Sequence, residues 1–121
     1  MTIKVVPMIH VPDVRLTVEW YAAIGFAVGG INEEDGEMDW AMLSFGDSEV
    51  MFSEGGRVST DFRRDMDLYI HVDDIDEFYE RLKERVEVVE SLHETVYGMR
   101  EFIIRDLNRF WITFGQTVAR Q

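Results

Sequence analysis

His10 and His71 have the most chemistry to offer in this 121-residue chain. They stand 61 residues apart in nearly the same frame, Ile9-His10-Val11-Pro12-Asp13-Val14 and Ile70-His71-Val72-Asp73-Asp74-Ile75. An imidazole can ligate a metal, move a proton near neutral pH or hydrogen-bond a ligand. Together with Asp67 the two would supply the two-histidine, one-carboxylate donor set of non-haem iron centres. The competing reading is of structural or ligand-contacting histidines. Asp67 itself is unusual, a carboxylate among apolar neighbours. Burial would raise its pKa and make it a base, a cationic ligand would keep it ionised, and a position at the strand end would leave it facing water. His93 falls in a loop-like stretch and reads as a solvated surface residue.

The elements that must hold these residues repeat with them. Val14, Thr17, Val18 and Tyr21 follow the first frame, and Ile75, Phe78, Tyr79 and Leu82 follow the second, at i, i+3, i+4, i+7 spacing. Matching in helical phase, the halves predict two modules rather than a solenoid, which needs three repeats. Ile3 to Val11 reads as a strand containing Pro7, which has no amide donor and therefore favours an edge or a bulge. Asp13 caps a helix to about Ile24, and Gly25 ends it. Strands follow at Phe26 to Ile31, Met38 to Phe45 and Ser48 to Ser53, the last two joined by a tight turn at Gly46-Asp47. Glu54 to Asp65, with Gly55-Gly56 and Arg63-Arg64, reads as a connector with room for one helical turn. The second module has a strand at Met66 to Val72, a helix from Asp74 to about Arg85, a strand at Val86 to Ser91, and a hairpin of Gly98 to Arg105 with Phe110 to Phe114. The order is βαβββ twice, in a single domain with module one at 1–57, connector 55–65, module two 66–116 and tail 117–121.

Composition excludes several functions. A net charge of −12, from 24 acids and 12 bases, opposes nucleic acid, whose phosphates require clustered Lys and Arg. The charge would attract a cationic ligand, or simply keep the surface soluble. With no cysteine, disulfides, thiolate metal sites and cysteine nucleophiles are absent. No stretch approaches the roughly 20 apolar residues of a membrane span, and the N-terminus does not read as a signal peptide, so the expected location is cytoplasmic. Neither a phosphate loop nor a nucleophile elbow is present.

Alternation along the opening strands sends Ile9 and Val11, and Leu68, Ile70 and Val72, toward the helices. Val6, Met8 and His10 then share the opposite, concave face with Asp67, Tyr69 and His71. Arg100, Glu101 and Arg105 read as pairing within or across their hairpin. Glu37, Asp39, Trp40 and Glu49 offer acid and aromatic lining. Trp20, Trp40, Trp111, Tyr69, Phe102 and Phe110 supply flat surfaces, some for the core and some for a cleft that suits a planar or cationic small molecule.

The strand leading into Val-x-Asp-Val, the aromatic pair Trp20-Tyr21, the Ile24-Gly25-Phe26 exit, the second Val72-Asp73-Asp74 helix start and the closing Gly98-Met99-Arg100-Glu101-Phe102, Arg105-Asp106 and Phe110 segment resemble the vicinal oxygen chelate superfamily. Tyr97 to Gly115 looks most like its glyoxalase and bleomycin-resistance-protein branch. The resemblance implies an α+β fold, with two βαβββ modules curled into a mixed-sheet half-barrel around a concave cleft, helices outside, usually as a homodimer. In that superfamily's enzymes, His and Glu side chains on inward strand positions chelate a divalent metal. Counting from the shared Asp, those positions fall here at Val6, Met51, Asp67 and Thr113. One carboxylate, one hydroxyl and two apolar side chains make a poor cage for a hard cation. His10 and His71 lie four residues from those positions, about 13 Å along a strand. The expectation is therefore a binding protein rather than an enzyme, with no metal and no cofactor, holding a cationic or aromatic small molecule such as an antibiotic. Its ligand-binding candidates are Met8, His10, Trp40, Met51, Asp67, Tyr69, His71, Phe102 and Thr113. The alternatives are a lyase, isomerase or dioxygenase using His10, His71 and Asp67, and a dimeric interaction module without a ligand.

Overall fold

A computed structural model describes residues 3–118. The chain forms two units, Met1–Ser59 and Thr60–Gln121, each built on the same plan. In the first, β1 (Met8–His10), α1 (Val14–Ala23), β2 (Ala27–Glu34), β3 (Glu37–Phe45) and β4 (Ser48–Ser53) give a sheet of order β1-β4-β3-β2. In the second, β5 (Asp67–His71), α2 (Ile75–Leu82), β6 (Glu87–Glu94), β7 (Met99–Arg105) and β8 (Trp111–Thr117) give β5-β8-β7-β6. Both sheets are mixed: the opening strand runs parallel to the last, and the other pairs are antiparallel. The fold class is α+β, as the resemblance implies, and the order βαβββ occurs twice, as the repeat predicts.

The helix starts are set by side-chain caps. Asp13 accepts from the Leu16 amide at 3.0 Å and Asp74 from the Glu77 amide at 3.4 Å, satisfying donors that a first helical turn leaves open. Gln116 adds a second tie to α2, its Oε1 accepting from the Ile75 amide while its Nε2 donates to the Asp73 carbonyl. The helix stripes meet the sheets as their spacing requires. Val14, Thr17, Val18 and Tyr21 are buried in unit one against Ile9, Leu43, Val50 and Phe52. Ile75 and Leu82 are buried in unit two with Phe102, Ile104, Ile112 and Phe114. Unit two stacks its rings, with Phe102 between Tyr79 and Phe114, and Phe114 against Phe78.

Several boundaries differ from the sequence expectation. The N-terminal strand is three residues long instead of spanning Ile3 to Val11. Pro7 cannot donate to a ladder, although its carbonyl accepts from the Met51 amide, and Ile3 and Val5 stay exposed. Helix α2 stops at Leu82, with Lys83 as its cap, rather than near Arg85. Strand β6 continues to Glu94, so His93 belongs to a strand and not to a loop. The connector contains bends but no helical turn. Gly56 packs so closely on the His10 and Val11 backbone that no Cβ could fit there.

Candidate functional site

In each unit one sheet face is filled by its helix, and the other, the far face, carries the candidate site residues. Cross-strand register sorts the far face of unit one into rows. Met8, Met51, Met42 and Gly30 follow one another across β1, β4, β3 and β2. Beside them run His10, Ser53, Trp40 and Asn32. Directly opposite side chains in neighbouring strands lie about 5 Å apart, so the three thioethers are neighbours. The Met42 tip reaches over Gly29, and the Trp40 ring edge lies 3.4 Å from the point where a Cβ on Gly30 would stand. The two glycines thus leave space that these long side chains cross. Charge on this face is sparse: Glu49 pairs with Lys4, and Asp39, which alternates to the other face with Ala41 and Leu43, is held by Asn32 Nδ2 at 2.8 Å. The His10 Nδ1 lies 2.9 Å from the Glu54 carbonyl, which fixes the ring through one nitrogen.

The far face of unit two has the same register and a different content. Tyr69, Thr113, Ile103 and Glu90 take the places of the methionine row, and His71, Gly115, Glu101 and His93 the places of the next. Glu101 is buried, with 4% exposure, and each of its oxygens accepts from a tyrosine, Tyr69 at 2.5 Å and Tyr97 at 2.6 Å. Loss of water around its hydroxyl, reinforced by the bond to Glu101, pushes Tyr69 above the ordinary phenol range. The bond to Glu101 raises Tyr97 as well. The Tyr69 hydroxyl occupies the volume a side chain at position 115 would need, which accounts for Gly115. The connector runs against a third row, Asp67, Trp111, Arg105 and Glu87, whose two ends stay exposed. Arg63 pairs with Asp67 at 2.5 Å and lies over the Trp111 ring, 4.4 Å from its centroid. Arg105, buried, donates to Glu87 at 2.5 Å and to the Phe62 carbonyl at 2.8 Å. Trp111 Nε1 donates to that same carbonyl at 3.2 Å, and the Phe62 ring stands edge-on to Trp111.

The structure therefore places Met8, His10, Trp40 and Met51 on the far face of unit one, and Asp67, Tyr69, His71 and Thr113 on that of unit two. Phe102 is a correction. It is Phe114's cross-strand partner, faces α2 and is fully buried, so it packs the core and lines no ligand surface. Arg100, Glu101 and Arg105 do not pair within their hairpin either: Arg100 reaches Asp76 on α2 at 2.7 Å, and the other two have the partners just described. Met42 and Glu101 were missed as far-face centres. Met42 could have been found by counting back from the Gly46-Asp47 turn, which sets it opposite Met51. No group of three or more His, Cys, Asp or Glu able to hold a metal occurs among the described residues. Asp67 is already held by Arg63, and His71 packs tilted against Tyr69, with centroids 4.9 Å apart.

A family model described as the Glyoxalase/Bleomycin resistance protein/Dioxygenase superfamily matches residues 5–114. No curated protein matches the sequence significantly. Among solved structures, TioX from Micromonospora sp. ML1 is similar at a TM-score of 0.78 and 21% identity, over 95% of this chain and 99% of that one. A glyoxalase-related enzyme from Clostridium phytofermentans reaches 0.77 at 15% identity, over 98% and 97%. The bleomycin-binding protein of bleomycin-producing Streptomyces verticillus, complexed with copper(II)-bleomycin, reaches 0.71 at 22% identity, over 99% and 98%. Identities this low establish the shared fold. No helix among the described residues is long and apolar enough to cross a membrane.

Proposed function

The chain belongs to the glyoxalase/bleomycin resistance protein/dioxygenase superfamily, and from that premise we propose that it is a metal-independent small-molecule binding protein of the bleomycin-resistance type, which sequesters its ligand rather than transforming it. The carrying observation is the donor set at the superfamily's chelating positions. Val6, Met51 and Thr113 offer no carboxylate or imidazole, and Asp67 is ion-paired with Arg63. A hard divalent cation would have to give up several waters for one shared carboxylate. Similarity to a bleomycin-binding protein supports binding as the shared activity, and aromatic and cationic compounds, antibiotics among them, are the ligand classes to screen. Nothing specific favours an enzyme built on His10, His71 and Asp67. A cytoplasmic homodimer accompanies this reading, and light scattering on the purified protein tests the dimer.

The deciding experiment is metal analysis of protein purified without chelator, followed by calorimetry with nickel, zinc and iron(II). The expected result is no stoichiometric site. A tight one-to-one metal would overturn the proposal.

A further inference from the structure

Both far faces share one register but differ in how their side chains are tied. On unit two the far-face carboxylates of the inner rows already have partners: Asp67 has Arg63, Glu87 has Arg105, and Glu101 has the two tyrosines, while Glu90 at the sheet edge has only His93 at 3.9 Å. Its flat ring, Trp111, is capped by Arg63 on one side and met by Phe62. Unit one presents Met8, Met42 and Met51 in one row with Trp40 beside them, and its acid, Glu49, is paired with Lys4. Thioethers are polarisable and adjust through three rotatable bonds, and sulfur makes favourable contacts with ring edges. A cation laid on such a surface would lose hydration without meeting a free carboxylate, a cost the tryptophan π face offsets only in part.

Resting on the small-molecule reading above, we infer that the methionine row and Trp40 of unit one form the recognition surface, and that the ligand class it selects is a flat, uncharged, polarisable ring system. The net negative charge of the chain then serves solubility rather than recognition.

The test uses two isosteric probes, acridine, neutral at pH 8, and 10-methylacridinium. Both are titrated at 0.15 M salt into the full chain carrying Trp20→Phe and Trp111→Phe, so that Trp40 reports alone. Acridine should quench Trp40 and bind at least ten-fold more tightly than the cation. Met8 is 48% exposed, so Met8→Glu can be accommodated without disturbing the core. That variant should reverse the preference by supplying the missing carboxylate, and Asp67→Asn should leave both affinities unchanged. Cation binding that equals or exceeds acridine binding and falls with Asp67→Asn would overturn the inference while leaving small-molecule binding intact. Failure of both probes to bind the unsubstituted chain would overturn both.

Discussion

Met8, Met51 and Met42 cross the sheet of unit one where Tyr69, Thr113 and Ile103 cross that of unit two, in the same strand order and on the same face. One row is flexible and apolar, the other mixed in size and partly polar, and the contrast extends to what surrounds them. Unit two's far face is closed on itself by charge-assisted bonds and a docked connector. Unit one's has fewer ties, with Glu49 held by Lys4 and His10 by the Glu54 carbonyl. On the proposed reading, the repeated backbone separates two tasks: one face stabilises its unit, and the other is left for a ligand.

The largest expected effect lies on unit two. Arg105→Ala removes a buried guanidinium, leaves the Phe62 carbonyl with one donor fewer and releases the connector from Glu87's row. Because Glu87 is itself largely solvated, the cost stays below that of a fully buried pair, at about 2–3 kcal/mol. Urea denaturation would show it as a lower midpoint at an unchanged slope. A loss below about 1 kcal/mol would mean that unit two's far face is no more tied than unit one's, and the contrast would fail.

Next comes the Glu101 network. Tyr69 and Tyr97 are neutral donors whose folded pKa values are raised, so the stability they contribute is complete below the unfolded phenol pKa of about 10. It is lost as pH climbs from there through the folded values. Tyr69→Phe should cost about 1 kcal/mol at pH 8, and the difference from the unsubstituted protein should shrink above pH 10. A difference that persists unchanged to the highest pH at which both remain folded would show that the hydroxyl bond is not its source.

How much of this was legible in the sequence follows the same division. The repeat revealed both helices, their capping aspartates and the order of elements along the chain, because hydrophobic period and cap chemistry are local. The chelating positions could be counted because the two modules act as a ruler for each other. Phe102 was misplaced because a hairpin with a five-residue loop does not fix its strand phase from composition alone; only pairing with Phe114 turns it toward α2. The partners of Glu101 and Arg105 were beyond reach for a different reason. Apart from Tyr97, four residues from Glu101, they come from β5, β6 and the connector, up to 43 residues away, and no local pattern predicts which carboxylate a buried arginine will find.

On unit one the effect should appear in binding more than in folding. Met42→Ala shortens a half-buried side chain whose tip lies over Gly29, so stability should drop by about 1 kcal/mol or less. Acridine affinity should fall about five-fold or more in the same variant, because the polarisable surface beside Trp40 is lost. Equal losses in stability and binding would make Met42 a structural residue and return unit one's face to the same role as unit two's.

The smallest effect belongs to Asp67, the residue the sequence marks as most unusual. Its carboxylate is partly exposed and paired with an arginine only four residues away in the connector. Exposed pairs of that kind contribute about 0.2–1 kcal/mol, and salt screens them. Asp67→Asn should therefore shift the urea midpoint slightly at low salt and hardly at all at 1 M, where the screening length is about 3 Å. Arg63 would keep its place over Trp111, since the ring attracts it independently of the carboxylate. A large, salt-independent loss would mean that Asp67 anchors the connector alone. That result would move the structural weight of unit two from Arg105 to the one position where this chain retains a chelating side chain.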